Sequence, residues 1–72
     1  MTLYTSSSCV KCPTVKYFLK KNDVDYEEKD VSIEENMDEL IKLTGYMTVP
    51  VFVKGENVVI GANLSFIKQL IA

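Results

Sequence analysis

The chain lacks histidine and arginine altogether, and it has only two cysteines in 72 residues. Without imidazole, histidine-based acid–base or nucleophilic catalysis is excluded, and so is a zinc site that uses histidine. Two cysteines allow at most one disulfide, so this is not a disulfide scaffold of the secreted kind. No apolar run approaches the length of a membrane span. Residues 1–8 hold no basic residue and no long apolar stretch, so no signal peptide is expected. An excess of basic charge is also missing. The net charge of −2 argues against a nucleic-acid binder. The expected compartment is the cytoplasm, where thiols stay reduced unless they cycle.

What is present fits one small soluble domain spanning residues 1–72, read as a monomer. Hydrophobic content is 47% and charged content 25%, the mix of a compact globule rather than a disordered chain. Nine of the ten acids fall between Asp23 and Glu39, while Lys11, Lys16, Lys20 and Lys21 lie just before them. Two readings of that asymmetry stand: ordinary solvated faces, or a mild positive field around the cysteines.

The elements follow from periodicity and punctuation. Residues 2–5, Thr-Leu-Tyr-Thr, read as a first strand. Ser6-Ser7-Ser8 is a turn rich in helix caps. Val10 to about Lys21 reads as a helix with Val15, Phe18 and Leu19 on one face. Pro13 is tolerated only near its first turn, which fixes the helix start close to Cys9. Val24 to Val31 reads as a second strand, with Val24 and Tyr26 inward and a charge pattern suited to a sheet edge. Ser32 and Glu35 form a capping-box signature. They open a helix with Met37, Leu40, Ile41 and Thr44 at helical spacing, closed by Gly45. Val51–Val53 and Val58–Ile60 read as a hairpin around Lys54-Gly55-Glu56-Asn57. Asn63 caps a last helix with Phe66, Ile67, Leu70 and Ile71 in register. The order is β-α-β-α-β-β-α, an α/β fold with a four-stranded mixed sheet flanked by three helices. The first βαβ unit is expected to be parallel.

Both cysteines sit in one short stretch, Ser8-Cys9-Val10-Lys11-Cys12-Pro13. In this topology they lie where the first helix starts at the carboxyl end of the first strand. Free amides and the positive helix end acidify a thiol there, and Lys11 can help. Cys12 is roughly one turn on, within bridging range. Cys9 then reads as the exposed nucleophile and Cys12 as the resolving thiol. The competing readings are a static disulfide or half of a zinc site. Zinc needs about four ligands, and this chain has no further Cys or His. A Cys-x-x-Cys at a strand-to-helix turn is a redox signal.

Thr48-Val49-Pro50 precedes an apolar strand. From spacing alone Pro50 is an ordinary trans proline opening that strand. A cis bond would instead make a tight turn and leave the Val49 backbone to pair with an extended thiol substrate.

These residues together resemble the glutaredoxins. The resemblance rests on Tyr4-Thr5, Cys9-Val10-Lys11-Cys12, Thr48-Val49-Pro50 and the Gly61-Ala62-Asn63 turn, and it covers nearly the whole chain. It implies a thioredoxin fold with Pro50 cis beside the cysteines. It implies thiol–disulfide exchange through a redox-active Cys9–Cys12 disulfide with no bound cofactor, acting on protein disulfides. In the family the backbone at Val49 and the turn at Ala62-Asn63 hold the glutathione-like part of the substrate. The substrate-binding set it implies is Lys11, Thr48, Val49, Pro50, Gly61, Ala62 and Asn63.

The departures carry information too. Glutathione-using members usually have Pro-Tyr between the cysteines, a lysine three residues before the first cysteine, and Gly-Gly followed by an Asp pair in the last turn. Here Val10-Lys11, Ser6, and Gly61 with Asn63 stand there. The Cys-Val-x-Cys core is similar to the NrdH-redoxins, which take electrons from thioredoxin reductase and feed ribonucleotide reductase. Their usual Trp-Ser-Gly-Phe stretch is replaced by Val59-Ile60-Gly61-Ala62. The implied reductant is thioredoxin reductase with NADPH, or glutathione. The alternative implied role is a binding module in which two chains bridge an iron–sulfur cluster through Cys9.

Overall fold

The computed structural model describes residues 1–72. Its elements run β1 (Thr2–Thr5), α1 (Cys12–Lys21), β2 (Glu27–Asp30), α2 (Glu34–Thr44), β3 (Val51–Lys54), β4 (Asn57–Ile60) and α3 (Leu64–Ile71). The strands form one sheet in the order β2-β1-β3-β4. β1 runs parallel to β2 and antiparallel to β3, and β3 and β4 form the hairpin. This is the element order and mixed sheet that the sequence implies.

Alternation along the central strands sorts side chains to the two faces of the sheet. Leu3 and Phe52 join Val15 and Leu19 of α1, Val59 of β4 and Ile67 of α3 in one cluster. Tyr4 and Val51 join Val31 and Leu40 of α2 in a second. The inner strands β1 and β3 therefore supply both layers, and the two clusters stand back to back across the sheet.

Local chemistry sets the element ends. α1 begins at Cys12 rather than at Val10, because residues 6–11 first make a turn around Cys9. Pro13 falls in the first turn of α1, where its missing N–H costs nothing, and Lys20 and Lys21 sit at the negative end. β2 is shorter than expected. The Val24 amide donates to the Leu19 carbonyl at 3.0 Å, so Val24 belongs to the exit from α1. Tyr26 lies outside the four-residue register that β1 offers. Both still pack against the larger cluster, as their apolar character implies.

The Ser32–Glu35 capping box does not form. The Asp30 carboxylate accepts from the Ser32 amide at 2.9 Å, and Ile33 becomes the N-cap of α2. A carboxylate two residues back offers the backbone a tighter turn than the serine hydroxyl does. Gly45 ends α2 at φ 79°, a left-handed conformation that favours glycine. Ile41, expected inward, is 38% exposed on the outer side of α2. Asn63 caps α3 by accepting from the Phe66 amide at 3.3 Å, as expected. Phe66 itself is a correction. It is 57% exposed, and Leu64, Ile67, Leu70 and Ile71 face the core instead.

Candidate active site

The site begins where β1 ends. After Thr5 the chain turns through the three serines, with the Ser8 amide and hydroxyl both held on Ser6 Oγ, at 3.3 and 3.1 Å. The Cys9 amide donates to the Ser6 carbonyl at 3.1 Å. That turn hands Cys9 to the start of α1. There the Cys12 backbone N–H points at Cys9 Sγ, 3.1 Å away. A helix-start amide, with no carbonyl partner inside its own helix, thus faces the Cys9 sulfur, the position at which a helix end favours negative charge.

The structure holds Cys9 and Cys12 as a disulfide, with Cα atoms 5.5 Å apart. The two cysteines differ in access. Cys12 is 1% exposed, packed as the first residue of α1, whereas Cys9 is half-buried at the rim. Lys11, between them, is exposed and occupies the N-cap position of α1.

Cys9 opens into a groove of about 340 Å³. One wall is the loop itself, with Ser6, Ser8, Val10 and Lys11. The opposite wall is Val31, Met37, Met47 and Val49. Lys11 is the sole charged residue lining it. Val10 and Met47 are 89% and 70% exposed, so the rim is apolar and open to a partner. Val31, Met37 and Val49 also belong to or pack against the α2-side cluster. The groove is therefore the solvent end of that layer.

The expected substrate residues divide. Lys11 and Val49 line the groove with Cys9. Thr48 is exposed beside it, and Pro50 is buried behind it at the start of β3. The Val49–Pro50 bond is cis, as the resemblance implies and contrary to the reading from spacing alone. Gly61 is joined to Pro50 through its amide, which donates to the Pro50 carbonyl at 2.8 Å. Ala62 packs on the larger cluster, and Asn63 lines a different cleft, along β4. The Gly61-Ala62-Asn63 turn is thus tied to the site through Pro50 without lining the groove. Val31, Met37 and Met47 are groove residues that the sequence does not announce. They come from a strand end, a helix and a loop, and carry no motif.

No group of three or more His, Cys, Asp or Glu side chains capable of holding a metal occurs in the chain. No helix is long and apolar enough to cross a membrane.

With this geometry in view, comparison with known proteins is direct. The glutaredoxin family model matches residues 1–59. No curated protein matches the chain significantly. Among solved structures, a variant of the thioredoxin-like protein BC3987 superposes with a TM-score of 0.92 at 32% identity, covering 99% of this chain and 97% of that one. The glutaredoxin from Archaeoglobus fulgidus gives 0.86 at 33% identity, covering 97% and 83%. NrdH-redoxin from Escherichia coli, a glutaredoxin-like protein with a thioredoxin-like activity profile, gives 0.82 at 26% identity, covering 96% and 91%. The family match, the shared fold and the bridged Cys-x-x-Cys pair at the start of α1 agree, and the chain belongs to the glutaredoxin family as a thioredoxin-fold dithiol redoxin with thiol–disulfide oxidoreductase activity.

Proposed function

We propose that this protein is a cytoplasmic electron carrier that reduces protein disulfides through Cys9 and Cys12 and is itself reduced by a thioredoxin-reductase-type flavoenzyme. The observation that carries the reading is the asymmetry of the pair: Cys9 is half-buried and lines the groove with its Sγ 3.1 Å from the Cys12 amide, while Cys12 is 1% exposed. The Cys9 thiolate attacks one sulfur of the substrate disulfide. The other substrate sulfur leaves as a thiolate and takes a proton. Cys12 then loses its proton and attacks Cys9 Sγ, releasing the second substrate thiol. The substrate gains two electrons and two protons, and the protein is left as the Cys9–Cys12 disulfide. This reducing half of the cycle needs no second chain. NADPH, through the flavoenzyme, restores the dithiol. Lys11, Thr48, Val49, Pro50, Gly61, Ala62 and Asn63 are assigned to the substrate side, and ribonucleotide reductase is the candidate acceptor.

The choice of reductant rests on a count of charged contacts. Glutathione at neutral pH presents two carboxylates and one ammonium. A hydrogen bond to such a group is worth roughly 1.5–3 kcal/mol. Ser6 and Asn63 offer neutral partners where the resemblance leads one to expect charged ones, and Lys11 alone brings charge to the groove. With two such contacts reduced to neutral ones, losing even half of their combined worth weakens binding by about an order of magnitude or more. An open groove with exposed apolar residues at its rim suits a protein surface better.

The test supplies the oxidised protein with thioredoxin reductase, or with glutathione and its reductase, and follows NADPH consumption. Turnover at least about tenfold faster with the flavoenzyme is expected. Fast turnover with glutathione and none with the flavoenzyme would overturn the choice. Cys9→Ser should abolish disulfide reduction in either system, while Cys12→Ser should accumulate mixed disulfides with protein targets.

A further inference from the structure

The sheet has two open edges, and only one is defended. β2, Glu27-Glu28-Lys29-Asp30, is charged at every position. β4, Asn57-Val58-Val59-Ile60, carries no charge. Edge strands are normally blunted by charge, proline, a bulge or a covering element, because their free N–H and C=O groups invite pairing. β4 is short but has neither charge nor proline, and no strand lies beyond it. Val58 and Ile60 are 37% and 46% exposed. Val58, Val59 and Ile60 line a cleft of about 200 Å³ along the strand together with Asn63 and Phe66.

The register determines which backbone groups are free. β3 and β4 pair Val51 with Ile60, Phe52 with Val59 and Val53 with Val58. Gly61 N–H donates to the Pro50 carbonyl at 2.8 Å, which makes Gly61–Pro50 a hydrogen-bonded position. Such positions alternate along an antiparallel ladder. Asn57 and Val59 therefore bond inward to β3, and Val58 and Ile60 turn their N–H and C=O groups outward.

We propose that β4 is a self-association edge, on which a second copy of this chain lays its own β4 antiparallel about a two-fold axis at Val59. In this register Val58 faces the partner's Ile60, and Ile60 the partner's Val58. Outward-turned backbone groups meet outward-turned groups, and the exposed apolar side chains cover each other on one face. A shift by one residue sets Val58 against the partner's Val59, whose backbone groups are already used and whose side chain lies on the other face. The same register brings Glu56 opposite the partner's Ala62, at the entrance to the partner's α3. That helix has no acidic residue in its first turn, so the Glu56 carboxylate supplies the charge its positive end lacks. β2 has no equivalent, because its carboxylates would face their own copies.

The contact is one short strand and a few side chains, well under roughly 1,200 Å², so the dimer is weak, with a Kd of roughly 0.1–1 mM. The monomer expected from the sequence is the dilute form. No residue of β4 lines the Cys9 groove, so association through this edge leaves that groove open.

The experiment is sedimentation equilibrium together with amide NMR of the full chain, in reductant, from roughly 10 µM to 1 mM, the range that brackets the expected Kd. The average mass should rise from the monomer value toward that of the dimer. The Val58 and Ile60 amides should shift with concentration while those of Glu27–Asp30 stay fixed. Ile60→Lys, at an exposed position, should keep the fold and abolish the dimer. Glu56→Lys should weaken it by roughly threefold or more through the helix end. A constant monomer mass over the whole range, a dimer indifferent to Ile60→Lys, or shifts confined to other residues would overturn the proposal.

Discussion

The two faces of the sheet are built to different standards. On the side of α1 and α3, six buried residues close on one another, and all of them are apolar. On the side of α2 the cluster is four residues, and one is Tyr4, whose hydroxyl must reach outward to Glu39. The larger layer is closed by two helices and holds the structure. The smaller is closed by one helix, and its end near Cys9 is left open as the groove. A site that must receive a partner's disulfide needs reachable apolar surface. The fold provides it by ending the thinner layer early, not by cutting into the thicker one.

The largest test of this division is in the cores. Phe52 is fully buried in the larger layer. Phe52→Ala should cost about 3–5 kcal/mol, a large part of the roughly 4–11 kcal/mol total stability of a chain this size. A milder change, Phe52→Leu, should cost under about 1.5 kcal/mol and leave kcat/KM for a protein disulfide unchanged. Leu40 is fully buried on the other side. Leu40→Ala should cost about 2–4 kcal/mol and also raise KM, because Leu40 shares a cluster with Val31 and Met37 of the groove wall. Urea unfolding and steady-state kinetics on the same variants read both quantities. An equal KM shift in Phe52→Leu and Leu40→Ala would erase the distinction between the layers.

The sequence shows the same division in what can be read from it. The cysteine pair was legible because its chemistry is local: a strand end, a turn and a helix start within a few residues. The hairpin and Gly45 were legible for the same reason, since turn residues act on their own backbone. Phe66 was not. On an eight-residue helix Leu64, Phe66, Ile67, Leu70 and Ile71 spread apolar character around much of the circumference, and Phe66 makes one apolar edge while the other four make another. Only docking onto the sheet decides which one is buried. The groove wall was hidden because Val31, Met37 and Met47 are distant in sequence and chemically plain. The capping box failed to a neighbour, Asp30, whose carboxylate reached the Ser32 amide first.

Tyr4 gives a smaller test, on the polar side of the comparison. Its hydroxyl donates to Glu39 Oε1 at 2.7 Å, and Lys29 Nζ reaches the same oxygen at 2.6 Å. Burial first, then the hydrogen bond and charge of Glu39, push the Tyr4 pKa from 10.0 up to about 12. A phenol whose folded pKa is raised contributes stability that is complete below its unfolded pKa and is lost as pH climbs through the folded one. The window is therefore pH 10.0 to about 12. The Lys29 pKa is also raised, chiefly by its hydrogen bond to Glu39, and its contribution fades in the same direction. Tyr4→Phe should cost about 1 kcal/mol at neutral pH. The gap between wild type and variant should close through the alkaline window. A gap that stays constant to the top of that window would mean the hydroxyl contributes nothing through its protonation state.

The smallest effect belongs to the tie between α1 and β2. Lys16 Nζ meets Glu28 Oε2 at 2.6 Å, and buried Thr5 donates its hydroxyl to the same oxygen at 2.9 Å. The Lys16 hydrogen bond, ahead of the Thr5 one and against a desolvation cost, holds the Glu28 carboxyl below its usual value of 4.5. The sign here is opposite to that of Tyr4. A depressed carboxyl contributes stability that is present above its unfolded pKa and is lost as pH falls through the folded one. Both side chains of the ion pair are about two-fifths exposed, at 39% and 41%, so water and salt screen much of the attraction. An exposed pair of this kind is worth about 0–1 kcal/mol. Glu28→Gln keeps the size and an acceptor for Thr5 but removes the charge. It should lower stability by no more than about 0.5–1 kcal/mol at neutral pH and low salt. The difference should shrink in high salt and vanish once the pH has fallen below the lowered folded pKa, where wild-type Glu28 is itself neutral. Urea unfolding of both proteins at neutral and acidic pH, with and without salt, is sufficient. A loss above about 2 kcal/mol that salt does not reduce would place Thr5, Lys16 and Glu28 among the structure-determining contacts, and the α1 side would owe its stability to more than its apolar cluster.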